Sequence, residues 1–334
     1  MRIAIDAMGG DFAPREVVAG AVQAASLANI TALILVGDEA AIRAELAVCG
    51  GDQGKIEIRH ASEVVGMGES PAQAVRRKKD SSIGRAVELV RDGLADAVMS
   101  AGNTGAAVAA SALKLRTLPG VDRPAIATVM PTHKMPVVLL DAGANTDCSP
   151  KQLTQFAVMG SAYSHRIIGQ QNPVVGLLSI GGEESKGNDV TKKTYAALQH
   201  SDLNFRGNVE GRDLFEGDVD VVVCDGFVGN IVLKTSESAA TAFTRWLKRE
   251  LTANPIRKAA CLLLKGAFRA LKKQLDPEMY GGAPLLGVNG VCIIAHGGSS
   301  RHAIFHAIRV AAEAVQCHVN DDIVRGVAKL NEAT

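Results

Sequence analysis

The sequence predicts an α/β protein with a mostly parallel central sheet and helices on both faces. Three observations carry this. Short runs of Val, Ile, Leu and Ala alternate with longer amphipathic stretches, the rhythm of strand–loop–helix units. Hydrophobic residues make up 47% of the chain and aromatics only 4%, so the core is aliphatic, as in sheets covered on both sides. Most apolar runs end in a polar or glycine cluster, at Asp6, Asp38, Ser100, Asp141, Ser179, Asp225 and His296. In open parallel sheets such strand ends line the ligand cleft. With 334 residues, the chain reads as a single α/β body over 1–334, with room for two lobes around a cleft.

Taken in order, Arg2–Asp6 is a strand, turning through Ala7–Asp11 (AMGGD) into a helix opened by Pro14. Strands at Ala32–Val36 and Lys55–Arg59 bracket a helix from Glu39 to Val48. Ser81 or Ser82 caps a helix to Arg91, and Ala95–Met99 is the next strand. Ala125–Met130 and Pro136–Leu140 form a hairpin, and Pro150 begins a helix to about Ile168. Val174–Ile180, Leu203–Gly207 and Val219–Cys224 are strands with helices between and after them. Two helices, to Leu251 and from Pro255 to Leu275, precede a glycine-rich loop at Tyr280–Asn289, a last strand at Val291–Ala295 and one long closing helix.

A net charge of +1 names no partner, and nothing points to nucleic acid. The six cysteines form no CxxC pair; with no leader segment expected, this predicts reduced thiols in a cytoplasm. No apolar run reaches the ~20 residues of a membrane span.

The stretch ADAVMSAGNTGA, Ala95–Ala106, is a strand, a glycine-broken turn and a helix start. Asn103 or Thr104 is placed to cap that helix, and Gly102 and Gly105 allow a guest close to the backbone. Free N–H groups at a helix start attract anions, phosphate above all. The common nucleotide fingerprints are missing: Gly182–Gly187 has Walker-type glycine spacing, but Asn188-Asp189 stands where Lys-Ser/Thr belongs. There is no HExxH, no Cys/His cluster, no EF-hand spacing and no nucleophile elbow, so neither a metal nor a cofactor is expected.

Nine strings carry a family resemblance: IAIDAMGGDFAP (3–14), AVRRKKDSSI (74–83), SAGNTGA (100–106), DAGAN (141–145), KGND (186–189), GNVEGRD (207–213), DGFVGN (225–230), and YGGAPLLGVNG (280–290) with AHGGSS (295–300). Together they resemble the bacterial phosphate acyltransferase PlsX family, in the same order from about Arg2 to Val315. The resemblance implies a fold like isocitrate dehydrogenase and phosphotransacetylase. It implies reversible transfer of a fatty acyl group from acyl-acyl carrier protein to inorganic phosphate, feeding phospholipid synthesis. Homodimers, peripheral contact with anionic membrane and contact with the downstream membrane glycerol-3-phosphate acyltransferase are also implied. The second glycine of HGGSS departs from the expected pattern.

Phosphate is already a competent nucleophile, so this reaction needs a cradle, an oxyanion donor and orientation rather than a strong base. On the resemblance, Lys186 is the expected cation for phosphate or oxyanion and Asn230 the amide donor, with His296 beside them. Asn103, Thr104, Gly105, Gly9, Gly10, Asn145 and Ser299 are the expected substrate-binding set. Asp6, Asp141 and Asp225 would repel phosphate and are expected to orient Lys186 or to hold loops through N–H bonds instead. Alternatives within reach of the same residues are a phosphotransacetylase using a short acyl-CoA, an NAD-dependent dehydrogenase of this sheet architecture, and a non-catalytic scaffold.

Between residues 245 and 273 stand nine basic residues and one acidic residue, in a chain of total charge +1. Ile256, Ala260, Leu263, Ala267 and Leu271 share one helical face. Arg257, Lys258, Lys265, Arg269 and Lys272 are the cations expected to meet an acidic carrier protein or an anionic bilayer, the alternative being a helix at a subunit interface with a wet basic side. The segment 245–275 is therefore read as a projecting basic amphipathic arm.

Overall fold

The computed structural model describes residues 1–51, 53–268 and 277–332. Its centre is one sheet of eleven strands: β1 (Arg2–Asp6), β2 (Ala32–Gly37), β3 (Ile56–His60), β4 (Ala97–Ser100), β5 (Ala125–Met130), β6 (Val137–Leu140), β7 (Val175–Leu178), β8 (Phe205–Val209), β9 (Val221–Val223), β10 (Ala283–Leu286) and β11 (Val291–Ile294). Their spatial order is β3-β2-β1-β4-β11-β10-β5-β6-β9-β7-β8. The expected mostly parallel sheet is present, with one consequential exception. β10 runs antiparallel to both β11 and β5, and β5 runs antiparallel to β6. The strands β6, β9, β7 and β8 therefore point opposite to β1–β4 and β11.

Helices cover both faces. α1 (Arg15–Ala24) lies beside the later helix Arg301–Gln316, and Gly20 makes the crossing possible: a β-carbon there would sit 2.6 Å from Ile304 Cβ. α2 (Glu39–Cys49), α3 (Pro71–Arg77), α4 (Ser82–Arg91) and α5 (Thr104–Lys114) complete the first half. The second half carries α6 (Pro150–Tyr163), which widens into a π-turn at Ser164–Ile168, then α7 (Asp189–Gln199), the short α8 (Asp213–Glu216), α9 (Gly226–Leu251) and α10 (Pro255–Leu263). The chain closes with α11 (Arg301–Gln316) and α12 (Val319–Glu332).

The core is aliphatic on both faces. Ile3, Ile5, Leu33, Leu35 and Met99 pack under α1 and α11, while Ala4, Val98, Cys292 and Ile294 pack with the alanines of α5. Two expectations change. The glycine-rich stretch after Tyr280 contains a strand, β10, and the closing helix is two helices broken at His318, whose φ is +52°.

α9 is unusual. Of its 26 residues only Gly226 and Gly229 are buried, and a helix of that length spans about 39 Å. Phe243 and Trp246 of α9 and Ile256 and Leu263 of α10 are exposed. Arg257 pairs with Glu250, and Lys258 and Lys265 face solvent. Arg269 and Lys272 lie outside the described residues.

Candidate active site

At the carboxyl ends of β1 and β4, Asp6 and Ser100 are in register. Ser100 Oγ donates to Asp6 Oδ2 at 2.7 Å, and the Gly102 N–H donates to Ser100 Oγ at 3.1 Å. Burial pushes the Asp6 carboxyl pKa up, against hydrogen bonds from Ser82 and Ser100 that pull it down. The room at the glycines is taken by the protein itself. A β-carbon on Gly9 would lie 2.6 Å from Asp6 Oδ2 and 2.7 Å from the Gly102 nitrogen. Gly10, at φ +115°, sits against the carbonyls of Gly297 and Ala101, and the Asp11 N–H donates to Gly297 at 2.8 Å. The 7–11, 100–104 and 296–298 turns thus interlock.

Asn103 is the cap of α5: its Oδ1 accepts from the Ala106 N–H at 3.0 Å. Its Nδ2 reaches the carbonyls of Gly66, Met67 and Glu69 at 3.2, 3.0 and 3.3 Å. The side chain is therefore committed to the 66–69 loop, and the backbone amides of the following turn are what it leaves for an anion. Thr104 is exposed, whereas Gly105 faces Pro71, whose Cγ would lie 2.5 Å from a β-carbon there. His296 is exposed, and its Nδ1 accepts from the Gly298 N–H at 3.1 Å, which puts the neutral ring's proton on Nε2. Ser299 is buried, and Ser300, not Ser299, caps α11.

The second cluster begins where β6 ends. Buried Asp141 accepts five N–H bonds: from Ile126, Gly143 and Ala144 on Oδ1, each at 3.0 Å, and from the backbone and side chain of Asn145 on Oδ2, both at 2.8 Å. Its charge is consumed in holding the 141–145 loop, as expected of the strand-end aspartates. Asp225 does the same for α9, accepting from the Val228 N–H at 2.8 Å. Asn145 is itself a brace. Its Nδ2 is shared between Asp141 and the Pro124 carbonyl, and its own carbonyl receives the Gly226 N–H at 2.7 Å. Asn230 stands one turn inside α9, exposed, with its side chain 3.7–3.8 Å from the β-carbon position of Gly143.

Lys186 rises from the loop after β7 and is exposed. That loop and the Asn230 turn share a rim: Leu140, Val223 and Leu177 are aligned on the adjacent strands β6, β9 and β7. The Asn103–Gly105 turn and His296 sit at the ends of β4 and β11, which are parallel to each other and run opposite to β6, β9 and β7. The expected single rim therefore holds within each half and not across both, because the antiparallel β10 and the β5–β6 hairpin reverse the chain. The halves meet on one face, where Ala142, Ala144 and Leu233 pack in the same cluster as Ala106, Ala107 and Ala110 of α5. No group of His, Cys, Asp and Glu among the described residues could hold a metal.

A family model described as fatty acid synthesis protein matches residues 1–322. The chain is 54% identical over 323 residues to a phosphate acyltransferase from Pelotomaculum thermopropionicum, covering 97% of this chain and 94% of that one. The chain belongs to the phosphate acyltransferase family. A second member, from Desulfitobacterium hafniense, is 52% identical over 334 residues, covering 100% of this chain and 99% of its own. Among solved structures, a phosphotransacetylase from Streptococcus pyogenes matches with a TM-score of 0.66 at 20% identity, covering 95% of this chain and 94% of that one. EutD phosphotransacetylase from Staphylococcus aureus gives 0.61 at 18%, with 94% of each chain covered. These two likenesses establish the fold, which is the one the family resemblance implies.

Proposed function

We propose that the protein transfers a fatty acyl group from acyl-acyl carrier protein to inorganic phosphate, yielding acyl phosphate and free carrier protein for phospholipid synthesis. The observation that carries this reading is the near full-length identity to phosphate acyltransferases. It is supported by an exposed lysine and an exposed asparagine amide at the ends of adjacent strands.

In this reading a phosphate oxygen attacks the thioester carbonyl carbon. The C–O bond forms, the carbonyl becomes an oxyanion, and the C–S bond then breaks to release the carrier thiolate, which takes a proton from solvent. Lys186 neutralises the phosphate or the oxyanion, and Asn230 donates its amide to the same developing charge. The first N–H groups of α5 hold phosphate, with His296 Nε2–H as a further donor. Asp141 and Asn145 act one layer behind, fixing the loop against which Asn230 rests.

The reading extends to the α9–α10 arm. Its exposed Phe243, Trp246, Ile256 and Leu263 suit a second copy of the chain or a lipid surface, and Lys258 and Lys265 suit an acidic carrier protein. No helix among the described residues is long and apolar enough to cross a membrane.

The test is acyl phosphate formation, trapped with hydroxylamine, from inorganic phosphate and either long-chain acyl-acyl carrier protein or acetyl-CoA. Preference for the carrier-bound donor is the expected result. Equal or better use of acetyl-CoA would replace this reading with a phosphotransacetylase.

A further inference from the structure

Three contacts define the loop that carries Lys186. The Ser179 N–H, at the end of β7, donates to the Val209 carbonyl of β8 at 2.8 Å. The Glu183 carbonyl then receives two donors: the Lys186 N–H at 3.0 Å, which closes the turn, and Asn208 Nδ2 at 2.8 Å, reaching up from β8. The turn lays the lysine stem over Gly181, whose β-carbon position is 3.0 Å from Lys186 Cγ. Among the described residues, Asn208 is thus the strand side chain that grips this turn from below, and it is 8% exposed.

The same place holds two buried polar atoms without a partner, Asn208 Oδ1 and Ser179 Oγ. Ser179 Oγ lies 3.0 Å from the β-carbon position of Gly187, the residue after the lysine. Buried polar groups are nearly always hydrogen-bonded, so a pair of orphans beneath one short loop marks a place that can take a further donor. Gly187, at φ +96°, gives the loop a backbone that a side chain would oppose.

Resting on the reading of Lys186 above, we infer that Asn208 is a positioning residue for the acyl transfer. It sets the height and direction of the lysine through the Glu183 carbonyl, and its orphan oxygen accepts a donor when the loop settles on phosphate. Asn208 touches no reacting atom, so its effect passes through Lys186.

The test is a double-mutant cycle with Asn208→Leu and Lys186→Ala in the full chain. Leucine shares the branching of asparagine but is larger and apolar. It removes the donor and the orphan oxygen together and leaves the Glu183 carbonyl satisfied by the Lys186 N–H; thermal unfolding checks that the buried site accepts the added volume. Expected is a fall in kcat of about tenfold to a hundredfold, with KM for the acyl donor unchanged, and no further fall when the change is made on top of Lys186→Ala. Multiplying losses, or an unchanged kcat, would overturn the inference. Asn208→Ser, which keeps a shorter donor, serves if the leucine variant does not fold, and an intermediate loss is expected. A readout independent of turnover is acetylation of Lys186 by acetic anhydride, followed by peptide mass spectrometry. Phosphate protects Lys186 in the parent chain and not in Asn208→Leu; equal protection in both would overturn the inference. A parent chain inactive with both acyl donors defeats the functional reading, whereas an active parent with independent losses defeats this inference alone.

Discussion

Gly229 and Asp141 meet backbone to backbone: a β-carbon on Gly229 would sit 1.9 Å from the Asp141 carbonyl oxygen. The obstacle is backbone, not the end of a flexible side chain, so no rotamer relieves it. Gly229→Ala should therefore lift the first turns of α9 off the 141–145 loop, costing about 3 kcal/mol. Asn230, the next residue, should lose its place against Gly143. Urea unfolding and acyl phosphate formation should fall together.

Asn103 joins two tasks that substitution can separate. Asn103→Ala should lose the α5 cap, about 1 kcal/mol, and release the 66–69 loop as well. Asn103→Asp keeps a capping oxygen and loses the amide hydrogens that reach Gly66, Met67 and Glu69. Its stability should stay near that of the parent while amide hydrogen exchange at residues 66–69 accelerates. Slow exchange there in the aspartate variant would show that the loop stands without the latch.

Lys186→Ala and Asn230→Ala should each lower kcat by about a hundredfold to a thousandfold, the usual cost of one oxyanion donor or its equivalent. Both side chains are exposed, so thermal unfolding should barely move. Steady-state kinetics with varied phosphate distinguishes the two roles: loss of a lysine that holds phosphate raises KM for phosphate, and loss of an amide that acts only on the oxyanion does not.

Glu16 ties α1 to the start of α11. Arg301 Nη2 donates to Glu16 Oε1 at 2.7 Å, and Arg301 Nε and the backbone N–H both donate to Oε2 at 3.0 Å. The guanidinium hydrogen bond is the main reason that the carboxyl pKa falls from 4.5 to about 2. A depressed carboxyl stabilises the fold fully above its unfolded pKa and loses that contribution as pH falls through the folded one. Glu16→Gln should lower the melting temperature by about 2 °C near neutral pH, a small effect because the Arg301 side chain is 49% exposed and solvent screens it. The gap should narrow below pH 4.5 and close near pH 2, read by calorimetry across that range.

Local pattern made much of this molecule legible. β5, β6 and their hairpin stand where two apolar runs flank Thr132–Met135, because turn residues and burial act over a few positions. The strand-end aspartates hold loops because a carboxylate beside consecutive N–H groups has that use before any other. β10 is hidden by Gly281, Gly282 and Pro284, a strand-poor composition rescued by pairing with residues far along the chain. The opposite sense of the two half-sheets is likewise a long-range outcome that no window of sequence contains. Gly9, Gly102 and Gly105 read as room for a ligand, but short side chains give the same signal whether the neighbour is a guest or another loop. Asn208 lay inside a string, GNVEGRD, that carried the resemblance. Its clue is a polar residue on the buried side of a short strand, and what it grips is visible only once Glu183 is folded above it.

The insertion of β11 between β4 and β10 sets the order in which the newborn chain can be finished. Until residues 283–294 leave the ribosome, β4 has a bare flank, and a bare flank invites pairing with another nascent chain. Completion of the first half therefore waits on the synthesis of β11, and a chain truncated before Val291 should collect in inclusion bodies rather than persist as a smaller folded unit.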